Sequence, residues 1–113
     1  VEVRTPQDLP TRVEVVKRRD AYERDPDGFT ARWQAEDERL RRRIVSARKR
    51  LPDMAVGDAA LERAARLCMA LGTDGLRGEL TLVRAARALA ALDGAREVGD
   101  AQLAKIAAPA LRH

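Results

Sequence analysis

An all-α fold is predicted by three features of the 113-residue chain. Only Tyr22, Phe29 and Trp33 are aromatic, so alanine and leucine must fill most of the interior, which suits helices packed closely together. Apolar residues recur at spacings of three and four over most of the length, as one face of a helix requires. Valines stand singly or in pairs, without sustained alternation after the first few residues. The length bounds the chain to one domain. The expected architecture is a compact bundle of about five helices behind a short strand and linker.

VEVR (1–4) alternates like a strand, and because a lone strand is unstable it is expected to belong to a sheet formed with other segments. TPQDLP (5–10), with two prolines, reads as a linker, so the predicted division is strand and linker over 1–10 and a helical domain over 11–113. The first helix is predicted from about Thr11 to Arg24, with Leu9, Val13 and Val16 on one face. RDPDGF ends it. Pro26 cannot continue a helix, whereas Asp25 is a good N-cap with Pro26 at the first position of the next.

The second helix is predicted to run to about Arg50 with an apolar stripe of Phe29, Trp33, Leu40, Ile44, Ala47 and Leu51. Its remaining surface, including Arg41, Arg42 and Arg43, reads as a solvated face supported by pairs such as Asp37 with Arg41 and Glu38 with Arg42. LPDMAVGD is a break. The third helix is predicted over about Asp58 to Leu71, with Asp58 as N-cap and Gly72 ending it in the left-handed conformation. The fourth spans about Arg77 to Asp93, closed by Gly94, with a stripe of Leu80, Val83, Ala86 and Ala90. The fifth begins near Gly99 or Asp100 and turns Leu103, Ile106 and Ala107 inward.

The formal charge is +4, but both halves are nearly balanced: residues 1–53 carry 14 basic and 11 acidic side chains, residues 54–113 carry 8 and 7. A nucleic-acid surface gathers basic groups with few acids among them, so no nucleic-acid partner is expected. Cys68 is the single cysteine and sits in the apolar run RLCMALG, where it packs as a small hydrophobe. One cysteine and one histidine make no zinc-type ligand set. No apolar run approaches 18 residues and no leader pattern opens the chain, so neither membrane insertion nor export is expected, and the localisation is read as cytoplasmic. The start at Val1 and the stop at His113 within a polar–apolar pattern suggest a piece of a longer protein.

The segment LGTDGLRGEL carries the chemistry. Three glycines crowd around Arg77 although each costs about 1 kcal/mol relative to alanine inside a helix. It is not a phosphate-binding P-loop, because GxxxxGK[ST] is absent and Glu79 follows Gly78. An arginine at a helix N-terminus opposes the macrodipole. The mismatch vanishes if an anion is supplied from outside, when free N–H groups and a guanidinium fork make a bidentate phosphate site. Arg84, on nearly the same face, and Arg87 extend an arginine-lined edge. The alternative is that Arg77 caps the third helix or pairs with Asp74 or Glu79, and the residues alone leave both open.

DGLRGELTLVRAARALAALDG resembles the sensor-two segment in the lid domain of the AAA+ ATPase I subunit of magnesium chelatase. RVEVVKRRDAYERDPDGF, ARKRLP and APALRH are similar to that subunit in the same order, so the resemblance covers essentially the whole chain. It implies the C-terminal, lid portion of an ATPase that couples ATP hydrolysis to insertion of Mg2+ into protoporphyrin IX, a step of chlorophyll or bacteriochlorophyll synthesis. ATP and Mg2+ would serve the full-length protein, a ring-forming homo-oligomer (a hexamer) acting with a D subunit and a porphyrin-binding H subunit. In the family the Walker motifs lie upstream of a strand similar to VEVR, so this chain alone is expected to hold no catalytic group and to be inactive. The resemblance makes Arg77 the sensor-two residue at the γ-phosphate, with Leu76 and Arg84 as lesser members of the nucleotide pocket. A cobaltochelatase or MoxR-type ATPase lid, or a helical interaction module without nucleotide, is the alternative.

Overall fold

The computed structural model describes residues 2–111. Five α-helices follow in order: α1 Leu9–Arg24, α2 Pro26–Arg50, α3 Asp58–Ala70, α4 Arg77–Asp93 and α5 Asp100–Leu111, with a short 3-10 turn at Leu51–Asp53. The chain is all-α as expected. It divides into two units, Val1–Arg42 and Arg43–His113, and the boundary falls inside α2.

The expected strand does not form in the residues described: 2–7 carry neither helix nor strand, since no other strand is at hand to take up its ladder hydrogen bonds; Val1 lies outside the described residues. The linker is also shorter than expected. Asp8 caps α1 through its side chain, accepting from Thr11 N at 3.0 Å, which leaves Pro10 in the first turn, where its missing N–H costs nothing.

In the first unit α1 buries no residue. Leu9, Val13 and Val16, expected on a core face, are all exposed. Asp25 does what its sequence position predicts, accepting from Gly28 N at 3.1 Å while its carbonyl takes Phe29 N at 2.9 Å. Around this corner the three aromatics gather: Tyr22 meets Phe29 edge-on at 5.8 Å, Phe29 lies 6.2 Å from Trp33, and the Arg18 guanidinium sits 4.3 Å above the Trp33 ring. Such contacts add roughly 0.5–1 kcal/mol each. The charged surface is pair-laced as expected, and the predicted pair of Glu38 with Arg42 forms. Arg41 turns to Glu38 instead of Asp37, which forms no ion pair among the described residues, and Glu36 takes Arg39.

The second unit holds the buried core. Ala60, Ala64 and Cys68 of α3 and Leu82, Ala86 and Ala90 of α4 recur at i, i+4 and i+8 and face one another with Leu103 of α5. Their small side chains let the helices approach closely. Cys68 is fully buried, as its apolar run predicts. The α4 stripe is displaced from the expected one: Leu82 is the large buried residue, whereas Leu80 is 54% exposed. On α2 only Ala47 is buried, and Leu40 and Ile44 face solvent. Ala55 and Glu97 form a single bridge, with Val98 N donating to Ala55 O at 3.0 Å, which ties the LPDMAVGD break to the α4–α5 connection.

Both helix ends flagged by glycine close in the same way. Gly72 at φ 67° and Gly94 at φ 72° are left-handed, and each is followed by a paired set of bonds: Gly72 N to Met69 O and Thr73 N to Cys68 O, then Gly94 N to Ala91 O and Ala95 N to Ala90 O. These are Schellman closures. At the end of α4 two arginines of α2 add to the closure. Arg50 Nη2 donates to Ala91 O at 2.6 Å and Arg43 Nε to Leu92 O at 3.2 Å, cations placed where the macrodipole is negative.

Two outcomes test this description. Leu82→Ala, which empties a fully buried site, should lower unfolding free energy by about 2–5 kcal/mol, whereas Leu80→Ala should change it by less than about 0.5 kcal/mol in chemical denaturation. The hydrogen bond from Thr11 holds the Asp8 carboxyl below its ordinary value, so this cap supports α1 above that value and is lost as pH falls through the lowered one. Amide exchange at Thr11 should therefore rise on acidification in the native chain and show no such step in Asp8→Asn.

Candidate functional site

Thr73 positions the segment that bears Arg77. Its N–H and its hydroxyl both donate to the Cys68 carbonyl, each at 3.1 Å. The chain then turns again at Gly75, φ 72°, and α4 begins. Gly78 serves a different purpose from the other two glycines. A Cβ there would lie 3.2 Å from Thr73 Oγ1 and 3.4 Å from Cys68 Sγ, so its missing side chain lets the first turn of α4 press against the end of α3.

Arg77 is the first residue of α4 and is exposed. Leu76, the N-cap, offers no side-chain hydrogen bond to the first turn. Among the described residues the Arg77 guanidinium makes no ion pair and no hydrogen bond, and it is bonded neither to Asp74 nor to Glu79. The two local explanations for an arginine at this position are therefore unmet. Beside it opens a concavity of about 720 Å3, within the range of roughly 300–1,000 Å3 that holds small-molecule ligands. Arg77, Gly78 and Thr81 of α4 form one wall and Thr73 and Asp74 of the turn another; Leu71, Ala110 and Leu111 supply an apolar part.

The residues fit a phosphorylated ligand. An unpaired guanidinium offers a fork of N–H donors, the uncapped first turn of α4 leaves backbone N–H groups unused, and Thr73 and Thr81 add hydroxyls. Asp74 brings the opposite sign to the same cavity, so an anionic group would take the Arg77 side.

The other two predicted residues are placed differently. Leu76 is 74% exposed and Arg84 is exposed; neither lines the cavity. Arg84 lies about 10 Å further along α4 at 1.5 Å per residue. Thr73 and Thr81 are not singled out by the sequence, and Asp74 is named there only as a possible partner of Arg77, although Thr73 and Asp74 sit in the glycine-rich turn. Ala110 and Leu111 enter through packing of α5 on α4, for which no local signal exists. The end of the APALRH segment, Arg112 and His113, lies outside the described residues. No group of three or more potential metal ligands occurs among the described residues, and no described helix is long and apolar enough to cross a membrane.

Residues 58–113 match the model of the AAA lid domain. Over all 113 residues the chain is 58% identical to the magnesium-chelatase 38 kDa subunit of Acidiphilium rubrum and 56% identical to that of Cereibacter sphaeroides. It covers 33% and 34% of those proteins, so it spans about a third of the length of these relatives. A solved structure of the complex between subunits BchI and BchD of magnesium chelatase is 51% identical over the whole chain, which covers 35% of it, with a TM-score of 0.43.

Proposed function

The chain belongs, through residues 58–113, to the AAA lid domain family, and from that premise we propose that it is the C-terminal lid of the ATPase I subunit of a magnesium chelatase. In this reading the full-length protein binds ATP and Mg2+ and couples hydrolysis to insertion of Mg2+ into protoporphyrin IX. It forms a hexameric ring and acts with the D subunit and the porphyrin-binding H subunit. The observation that carries the proposal is the unpaired Arg77 guanidinium on the wall of the cavity, joined to the 58% and 56% identity with the 38 kDa subunits across the length of the chain.

Arg77 is the sensor-two residue. Its guanidinium binds and orients the terminal phosphate of a nucleotide held by another domain, and the uncapped turn behind it contributes N–H donors to the same charge. Thr73 and Thr81 hold the polar side of the cavity, and Leu71 with Leu111 excludes water from the apolar side. ATP supplies the phosphoryl group whose transfer to water drives the ring. This chain's own part is recognition and relay: a charge gained or lost at Arg77 acts on the first residue of a rigid helix, and a ligand that prefers one lid position shifts its population. The 113 residues alone hydrolyse no ATP, because none of them supplies a P-loop or a catalytic carboxylate pair.

In the full-length subunit, Arg77→Ala should abolish or uncouple ATP hydrolysis while unfolding free energy stays within about 0.5 kcal/mol of wild type, since the side chain is exposed and unbonded. Steady-state ATPase and chelatase assays beside thermal unfolding check this. Normal rates in both assays would remove Arg77 from the mechanism. Glu62→Ala, at an exposed surface pair with Arg66, should leave both rates unchanged.

A further inference from the structure

A second concavity lies away from the Arg77 cavity, within the unit that holds the core. Ile44 and Ala47 of α2 and Leu51 after it form one side, and Ala88, Ala91 and Leu92 of α4 form the other. It measures about 230 Å3, below the roughly 300 Å3 at which small-molecule pockets begin, so it suits a single aliphatic side chain better than a metabolite.

The charge around it is one-sided. Between Arg43 and Arg50 the sequence has four basic residues and no acid. Two are engaged, since Arg43 and Arg50 donate to carbonyls at the end of α4. Arg48, which lines the slot, and its neighbour Lys49 form no ion pair among the described residues. The carboxylate beside Leu92, Asp93, is taken by Arg43 at 3.6 Å.

We propose that this slot docks an acidic segment of another protein chain, which seats one aliphatic side chain between α2 and α4 and sets its carboxylates on Arg48 and Lys49. The pairing is of the groove type, in which an apolar anchor gives the hold and the charged rim gives orientation and rate. A second copy of this chain is a poor occupant, because two of the three acids in its densest acidic run are already engaged: Glu36 and Glu38 hold Arg39, Arg41 and Arg42. A nucleic acid would meet the charges but leave the apolar walls uncovered. The proposal does not rest on the nucleotide reading, since none of these residues lines the Arg77 cavity.

The test is fluorescence anisotropy of the chain with a short labelled peptide of glutamate and alanine bearing one central leucine. Saturable binding is expected. It should weaken about tenfold or more in Arg48→Glu/Lys49→Glu, in Ala88→Trp, which fills the slot from an exposed position, and when the peptide leucine becomes alanine. Arg63→Glu, on α3 and outside the slot, should have little effect. Circular dichroism confirms that each variant is folded, and Ala88→Gln replaces Ala88→Trp if the larger side chain disturbs the helix. Absence of saturable binding would overturn the proposal. So would binding that falls with salt yet ignores both the slot variants and the leucine, which is charge attraction alone. Self-association in sedimentation that Ala88→Trp or Ala88→Gln abolishes would assign the slot to a second copy.

Discussion

The carbonyl of Cys68 is the point from which the site is built. It would be an orphan acceptor at the end of α3, buried beneath the start of α4, and Thr73 satisfies it twice, through the backbone and through the hydroxyl. That pair of hydrogen bonds follows from the left-handed turn at Gly72, and it fixes the direction of the segment that follows. With the chain held there, and with no side chain on Gly78 to hold the helices apart, α4 starts in contact with α3 and Arg77 is left on the open side. The exposed arginine is therefore a consequence of how a buried carbonyl is satisfied.

Arg77 also breaks a local rule without a local compensation. A cation at the first position of a helix loses roughly 0.3–1 kcal/mol against the macrodipole, and no carboxylate nearby returns it, although Asp74 and Glu79 both stand within a few residues. Elsewhere the rule is followed in part. Asp27, Asp58 and Asp100 occupy first turns, and Arg43 and Arg50 serve a C-terminus, although Asp93 ends α4 against it. What sets Arg77 apart is its place on the wall of a ligand-sized cavity, which is why it carries the proposed function.

How much of this could be read from the sequence divides by range. Caps and closures are local, so Asp25 with Pro26, Gly72 and Gly94 placed their helix ends correctly, and the burial of Cys68 followed from its apolar neighbours. The α4 stripe misread Leu80 for Leu82 because both lie near the edge of an alanine-rich face, and only the packing of α3 and α5 decides which turns inward. The aliphatic residues of α1 and α2 were assigned to a core that the structure builds from alanines of α3 and α4 instead. Arg43 and Arg50 looked like solvated surface because the carbonyls they meet are 49 and 41 residues away, beyond any periodicity. At the candidate site Arg77 stands out in the sequence and the cavity beside it does not, since Ala110 and Leu111 of its apolar part arrive from α5.

The two ends of α4 are held very differently, and this asymmetry governs what the helix can transmit. Its last turn is closed by a Schellman pair and gripped by two guanidinium groups from α2, while its first turn has no side-chain cap and an unbonded arginine. Between them run 17 residues, about 25 Å at 1.5 Å per residue, with Leu82, Ala86 and Ala90 locked in the core. Such a helix does not bend locally when charge appears at its free end, because close-packed interiors resist small continuous deformations. In the proposed reading, a phosphate at Arg77 would act on a single helix with one loose end and one end clamped by Arg43 and Arg50 of α2.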